Sequence, residues 1–432
     1  MKRLTSAFLV LCYAGAAGAT TIHVPGDQPS IAAGLAAAQA GDTVLLACGS
    51  YLESRLEMAS GVVLRGGAGD PLCTVIDAQG EGGVLACYAV DAATRIEGLT
   101  LTGGYLFDGY AEAAGLWIGD GSAPTVTDCR IVANNNDGSS IAGANGVGIL
   151  DSSPSFLRCV IAENGSAGYF GPTGGIACWN STVSLVDCRI EDNLGMQADA
   201  GGLLCAAGST VSVEHCRFTG NHGTYHGAIA VEGATLHLVD CVLDGNTNVY
   251  EGANLYANAA QVTLTGCLVA GGRYADFSGG IYIVSSTVAI TGSTITANRT
   301  DEGAGQGVTG GGLWSIASSV SLVESILWGN CADSGIGQDA HISGGTVSFE
   351  CCVVNPAEID GPATYIGTNF DEDPLFCAPA ACGTGGGDYT LDGASVCLPA
   401  HNGCGVQIGA FGHGCGQVGV ASTSWSAVKA LY

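Results

Sequence analysis

The stretch STVSLVDCRIEDN, residues 181–193, returns as STVSVEHCRFTGN at 209–221 and, more loosely, as ATLHLVDCVLDGN at 234–246. Within it Val183 and Leu185 share one parity, and Cys188 and Ile190 share the other. Side chains alternate faces along a strand, so all four point inward only if the chain bends between Leu185 and Cys188. A variable glycine-rich stretch separates the copies and ends in a second signature, Gly174-Gly175-Ile176, Gly201-Gly202-Leu203, Gly227-Ala228-Ile229, Gly279-Gly280-Ile281 and Gly311-Gly312-Leu313. Two short strands meeting at a bend, a loop and a third strand describe one turn of a triangular coil. Successive turns stack about 4.8 Å apart as parallel strands.

Aligned on this motif, Cys129, Cys159, Cys188, Cys216, Cys241, Cys267 and Cys352 take one position, which Ser293 and Ser325 also fill, at intervals of 25 to 32 residues. Five residues on stand Asn134, Asn164, Asn193, Asn221, Asn246, Asn298 and Asn330. The pattern Leu185-x-x-Cys188-x-Ile190-x-x-Asn193 also fits a leucine-rich repeat. That fold needs a regular period and a leucine-bearing segment after the asparagine, where this chain is glycine-rich and variable. An all-β, single-stranded parallel β-helix is therefore expected, right-handed by the general preference of parallel crossovers. In it the cysteines are small buried side chains at a corner, free as thiols, and the asparagine amides bond along the stack at a turn.

Seventy glycines and only 12% charged residues argue against a helical protein, and 47% hydrophobic residues suffice for a long core. Lys2 and Arg3, the apolar run from Ala7 to Ala14 and Ala17-Gly18-Ala19 read as a signal peptide, residues 1–19, and imply secretion or display at the cell surface. Cys12 follows Leu11, where a lipoprotein signal takes a small residue. No later run of eighteen apolar residues suggests a transmembrane segment. The formal charge of −27, or −29 without Lys2 and Arg3, disfavours nucleic acid as a partner. Acidic loops leave Ca2+ as a candidate ion, although no calcium-binding repeat is present.

On these repeats the chain resembles secreted right-handed parallel β-helix proteins of the pectin-lyase-like superfamily. Residues 20–42, TTIHVPGDQPSIAAGLAAAQAGD, are similar to the opening of many such proteins, a strand and a capping helix. Ser30 is the expected N-cap, Ile31, Leu35 and Ala38 the apolar face that closes the open end of the core, and Gly41 the stop. The coil itself is assigned to residues 43–366. CRFTGN followed by HGAI is also similar to a repeat of polymorphic outer-membrane proteins of the chlamydial type. Residues 367–418, with DPLF, DYTL and CGVQIGAFGHGC, resemble the closing segment of secreted β-helix proteins. They form an expected cysteine-rich cap, with Cys397–Cys404 as the first pairing to consider and connectivity otherwise open. Residues 419–432 form a tail.

The superfamily includes pectate lyases and polygalacturonases, but a fold does not imply a function. A lyase of this type implies acidic calcium ligands and an arginine or lysine base. Asp187, Arg189, His215, Arg217 and Asp240 line up beside the cysteine ladder and are the catalytic candidates; Asp128 and Arg130 extend the same strip. Such a mixed-charge strip is also what rung-to-rung ion pairing on a solvated face produces. Gly412-His413-Gly414 matches a polygalacturonase motif but lacks adjacent carboxylates, and His222 and His226 are separated by helix-breaking glycine, so no metal site is assigned. Tyr169, Tyr225, Tyr250 and Tyr274 each follow the asparagine position by two to five residues, with Glu251 and Asp276 nearby. A column of aromatic faces spaced by one rung suits an extended sugar chain. The expected function is non-catalytic binding of a polysaccharide or another extracellular surface. The alternatives are a polysaccharide lyase or glycoside hydrolase acting on an acidic glycan, and a structural spacer or adhesin-like envelope protein.

Overall fold

Asp187 has φ 54°, the left-handed region, and it sits at the bend that the parity change between Leu185 and Cys188 requires. The computed structural model describes residues 18–107, 112–137, 143–165, 173–195, 200–273, 276–301 and 310–415. In it the repeat at 176–195 runs through strands Ile176–Trp179, Thr182–Val186 and Arg189–Glu191 and the two-residue strand Leu194–Gly195. Left-handed residues mark each corner: Asn180 at 46°, Asp187 at 54° and Asp192 at 51°. A ladder residue follows each one, Ser181, Cys188 and Asn193, so the same device turns the chain three times per coil.

The coils pair in parallel and in register, as in Val183↔Val211, Leu185↔Val213 and Ile190↔Phe218. Twelve strands, one per coil, form the sheet that contains Arg189–Glu191. Val183, Leu185, Cys188 and Ile190 are at most 1% exposed, so all four point into one continuous core. At about 1.5–3 kcal/mol for each fully buried aliphatic side chain, the inward rows dominate the stability of every coil.

The ladders do more than fill space. Asn193 Nδ2 donates to Ile161 O at 2.9 Å and to Asn221 Oδ1 at 3.0 Å, while the Asn193 backbone N–H donates to the same Oδ1 at 3.2 Å. The cysteine column works similarly. Cys188 N–H donates to Cys216 Sγ at 3.2 Å, and the Cys188 thiol donates to Val186 O at 3.3 Å. Cys267 N–H donates to Ser293 Oγ at 3.0 Å, so serine replaces cysteine because it offers the same donor and acceptor as well as a similar size. A third ladder, absent from the expectation, stands at the remaining corner, where Ser152 N–H reaches Ser181 Oγ at 3.1 Å and Ser181 N–H reaches Ser209 Oγ at 3.2 Å.

Eleven described cysteines are free and buried, among them all seven of the ladder. Burial pushes the Cys129 thiol up to about 12 and the Cys352 thiol up to about 11, which leaves both inert at neutral pH. Thiol titration of the denatured, unreduced protein should therefore find these eleven thiols, and the native protein close to none. Pairing along the ladder would show instead as two fewer thiols for each bridge.

The helix Ile31–Ala37 closes the N-terminal end, with Ser30 Oγ accepting from Ala33 N–H at 3.1 Å and Ile31 and Leu35 buried in the core. It stops at Ala38, earlier than expected; Gly41, at φ 95°, serves the turn into the strand Thr43–Leu46. Disulfide Cys48–Cys73 joins the first two coils.

The C-terminal segment differs from the expected end cap. It folds back along the flank of the coil, where Tyr389 packs on Val242, Leu268 and Ala270, and Leu391 and Ile408 pack on Ile326 and Val353. The cause lies in the residue that follows the ladder position. It is Arg130, Arg189 and Arg217 in three of the earlier coils but Val242, Leu268, Ile326 and Val353 later, so this outer face becomes apolar and needs a cover. The Cys397–Cys404 pairing is also corrected. Cys404 bonds Cys351, Cys331 bonds Cys382, Cys377 bonds Cys415, and Cys397 is a buried thiol. Two of these bridges staple the segment to the coil, because the cysteines it faces are on the flank beneath it. No helix among the described residues is long and apolar enough to cross a membrane.

Candidate functional site

The strands that open each coil at the Gly-Gly signature carry one outward column in register, Trp117, Gly148, Ala177, Leu204, Ala230, Tyr256, Tyr282 and Trp314. Trp117, Ala177, Leu204, Ala230, Tyr256 and Tyr282 of this column belong to a second, smaller apolar cluster outside the coil, together with Ala113, Ala144 and Ala200. Gly148 is required there: a Cβ on it would stand 2.8 Å from the Trp117 ring.

At the N-terminal end of the column lies a cleft of about 470 Å³, lined by Arg55, Glu57, Tyr88, Tyr105, Glu112 and Trp117 among others. Tyr88 hydroxyl donates to Glu112 Oε1 at 2.7 Å. Burial first, and then Glu112, push the phenol well above its ordinary range, so it stays protonated and donates. Tyr105 hydroxyl donates to Asp137 Oδ2 at 2.8 Å, and Phe107 stands 60% exposed at the rim. Arg55 lies against Gly82, whose absent side chain leaves room for the guanidinium: a Cβ there would be 2.5 Å from Nε. Aromatic faces, a cation and hydrogen-bonding carboxylates in one open cleft are the equipment for holding a sugar chain.

The sequence-level candidates lie elsewhere. Asp187, His215 and Asp240 are corner residues, with His215 3.5 Å from Asp187 and 3.6 Å from Asp240. Arg158 holds Asp128 through two bonds of 2.6 and 2.7 Å, and Arg189 holds Glu191 at 2.6 Å; Arg217 lies near Asp244. The strip is thus a row of polar corner and strand residues that contact one another, and none of them lines the cleft.

Tyr225 and Tyr250 stand on adjacent coils with ring centroids 5.5 Å apart, each a little over 40% exposed. Asp276 N–H donates to Tyr250 O at 2.9 Å. Tyr169 and Tyr274 lie outside the described residues. Glu251 approaches His226 at 3.8 Å, and His226 stacks on Tyr256 with centroids 3.8 Å apart. Burial pushes the His226 imidazole down to about 3, so it is neutral. His222 bonds Thr247 Oγ1 at 2.8 Å, and no metal-binding cluster occurs among the described residues.

The cleft residues escaped the sequence reading because Arg55, Glu57 and Tyr88 precede the first clear copy of the repeat. One signal was available: the residue after Gly-Gly-Ile/Leu or its variants is aromatic as Trp117, Tyr256, Tyr282 and Trp314.

Residues 60–269 match the family described as right handed beta helix region. Among solved structures, a periplasmic alginate epimerase superposes with a TM-score of 0.45 at 11% identity, covering 76% of each chain. A pectate lyase gives a TM-score of 0.34 at 10% identity, over 93% of this chain and 98% of its own. The A-module of an Azotobacter vinelandii mannuronan C-5 epimerase gives 0.30 at 16% identity, over 82% of this chain and 95% of its own. At such identities the likeness is one of fold. No curated protein matches the chain in sequence.

Proposed function

We propose, taking the right-handed parallel β-helix of the pectin-lyase-like fold as the premise, that this protein binds an extended polysaccharide outside the cytoplasm. The observation that carries the reading is the cleft, which brings Trp117, Tyr88 and Tyr105 together with Arg55, Glu57 and Glu112. Tyr88, Tyr105 and the exposed Phe107 offer faces to sugar C–H groups, while Arg55 and the carboxylates meet hydroxyls. The four disulfides support an oxidising compartment.

Retention without turnover is the first reading: Tyr88, whose phenol burial and Glu112 keep protonated, serves in the cleft as a hydrogen-bond donor. Turnover of the bound chain is the second reading, favoured by the Tyr88–Glu112 pair, a hydrogen-bonded acid and carboxylate within reach of a ligand.

The test is affinity electrophoresis of the mature protein in gels containing uronate, neutral or amino-sugar polysaccharides, with and without calcium, together with assays for new reducing ends and unsaturated sugars. Retention without product is expected, and replacing the exposed rim aromatic, Phe107→Ala, should weaken it by about tenfold, the loss of an aromatic contact of roughly 1–1.5 kcal/mol. Product formation would establish the second reading; no retention on any polymer would overturn both.

A further inference from the structure

The cleft has a charge as well as a shape. Its lining places one guanidinium, Arg55, against three carboxylates, Glu57, Glu81 and Glu112. Asp137, bonded to Tyr105, adds a fourth at the rim, and Asp120 acts on the Tyr88 phenol from nearby. The whole chain carries −27, so no remote positive field offsets the local one.

We propose that the polysaccharide held in this cleft is a basic one, a polymer of amino sugars whose free amines are protonated. The inference rests on the cleft being the glycan site. A polyuronate carries one negative charge per sugar, and each unit entering the cleft meets an excess of like charge that the single Arg55 does not neutralise. An ammonium-bearing sugar meets the opposite. Its charge is drawn to Glu57, Glu81 and Glu112, and its cation is further stabilised over the face of Tyr88. Tyr88 and Glu112 are already joined, so the phenol fixes the Glu112 carboxylate in the cleft lining. Arg55, cradled at Gly82, is then left to bond a ring or hydroxyl oxygen, a role that needs no anionic partner.

The test compares calorimetric titrations of the intact mature protein with three oligosaccharides of equal length: de-N-acetylated glucosamine, its N-acetylated parent and a uronate. The titrations are made below the pKa of the sugar amine and at two ionic strengths. The de-N-acetylated oligomer should bind at least about tenfold more tightly than its acetylated parent at low salt, with the margin shrinking as salt screens the carboxylates. The uronate should bind most weakly. In Glu57→Gln/Glu112→Gln the ratio between the first two should fall toward one, with a thermal midpoint like that of the parent protein establishing that the variant is folded. Equal binding of the amino and acetylated oligomers, or tightest binding of the uronate, overturns this assignment and leaves the glycan-binding reading standing. Failure of all three to bind overturns that reading too.

Discussion

Replacing Asn221 with alanine is expected to destabilise the central coils by about 3–5 kcal/mol, a large effect for one side chain. Asn221 Nδ2 donates to Ile190 O at 2.8 Å and to Asn246 Oδ1 at 3.1 Å. Its Oδ1 accepts from Asn193 N–H at 3.2 Å and from Asn193 Nδ2 at 3.0 Å. Truncation leaves the Ile190 carbonyl without this amide donor, and both Asn193 donors without their acceptor, in a site with no solvent access. Each stranded group costs about 1–3 kcal/mol. Because a solenoid couples only neighbouring repeats, the loss should be local. Hydrogen exchange should accelerate in the coils carrying Asn193, Asn221 and Asn246 and remain unchanged near Asn330. Uniform protection, or a denaturation midpoint equal to that of the parent, would refute the ladder's energetic role. Asn221→Asp preserves the acceptor but buries a charge and removes the donor, so it should restore nothing.

Breaking the Cys351–Cys404 bridge by changing both residues to serine should cost about 4 kcal/mol, the chain-entropy value for a loop closed across 53 residues. The loss should fall on the folded-back segment. With that staple gone, Leu391 and Ile408 still pack on Ile326 and Val353, Gly409 N–H still donates to Glu324 O at 2.8 Å and Ala410 N–H to Thr294 Oγ1 at 3.0 Å, and Cys331–Cys382 still tethers the start of the segment. Limited proteolysis should then cut between residues 383 and 415 under conditions that leave the parent intact, and a dye for apolar surface should bind. Unchanged resistance would mean that packing, these hydrogen bonds and the remaining bridge secure the flank without this staple. Peptide mapping without reduction adds an independent check, since Cys397 should be recovered as a thiol.

Much of the coil was legible because its rules are local. A parity change between Leu185 and Cys188 demands a bend wherever it occurs, and Asp187 at φ 54° is that bend. Buried amides must be satisfied, so an asparagine recurring once per coil at a turn reads as a ladder before any coordinates exist. The serine ladder is the instructive omission. Ser152, Ser181 and Ser209 occupy equivalent corners, but serine is common in loops, and its regularity becomes visible only once the corners are aligned.

The cleft was far less legible. Arg55, Glu57, Tyr88 and Glu112 belong to different coils, and nothing in their spacing along the chain announces that they meet. The charged strip shows the converse. Asp187, His215 and Asp240 are aligned in the sequence and in space, yet His215 lies between the two carboxylates at 3.5 and 3.6 Å, and none of the three lines the cleft. Alignment along a ladder is not convergence on a ligand, because parallel stacking puts equivalent residues side by side facing the same way.

The amino-acid sequence by itself determined the repeating unit: its inward rows, its bends, its asparagine and cysteine ladders and the free state of those buried thiols. Each of these follows from side-chain periodicity and hydrogen-bond satisfaction within one coil and its neighbour. Only the tertiary structure decided the path of the C-terminal segment, the partners Cys351 and Cys404, and the cleft around Trp117. Those depend on which surfaces the stacked coils leave apolar or open, a property of many residues distant in the chain that no single repeat contains.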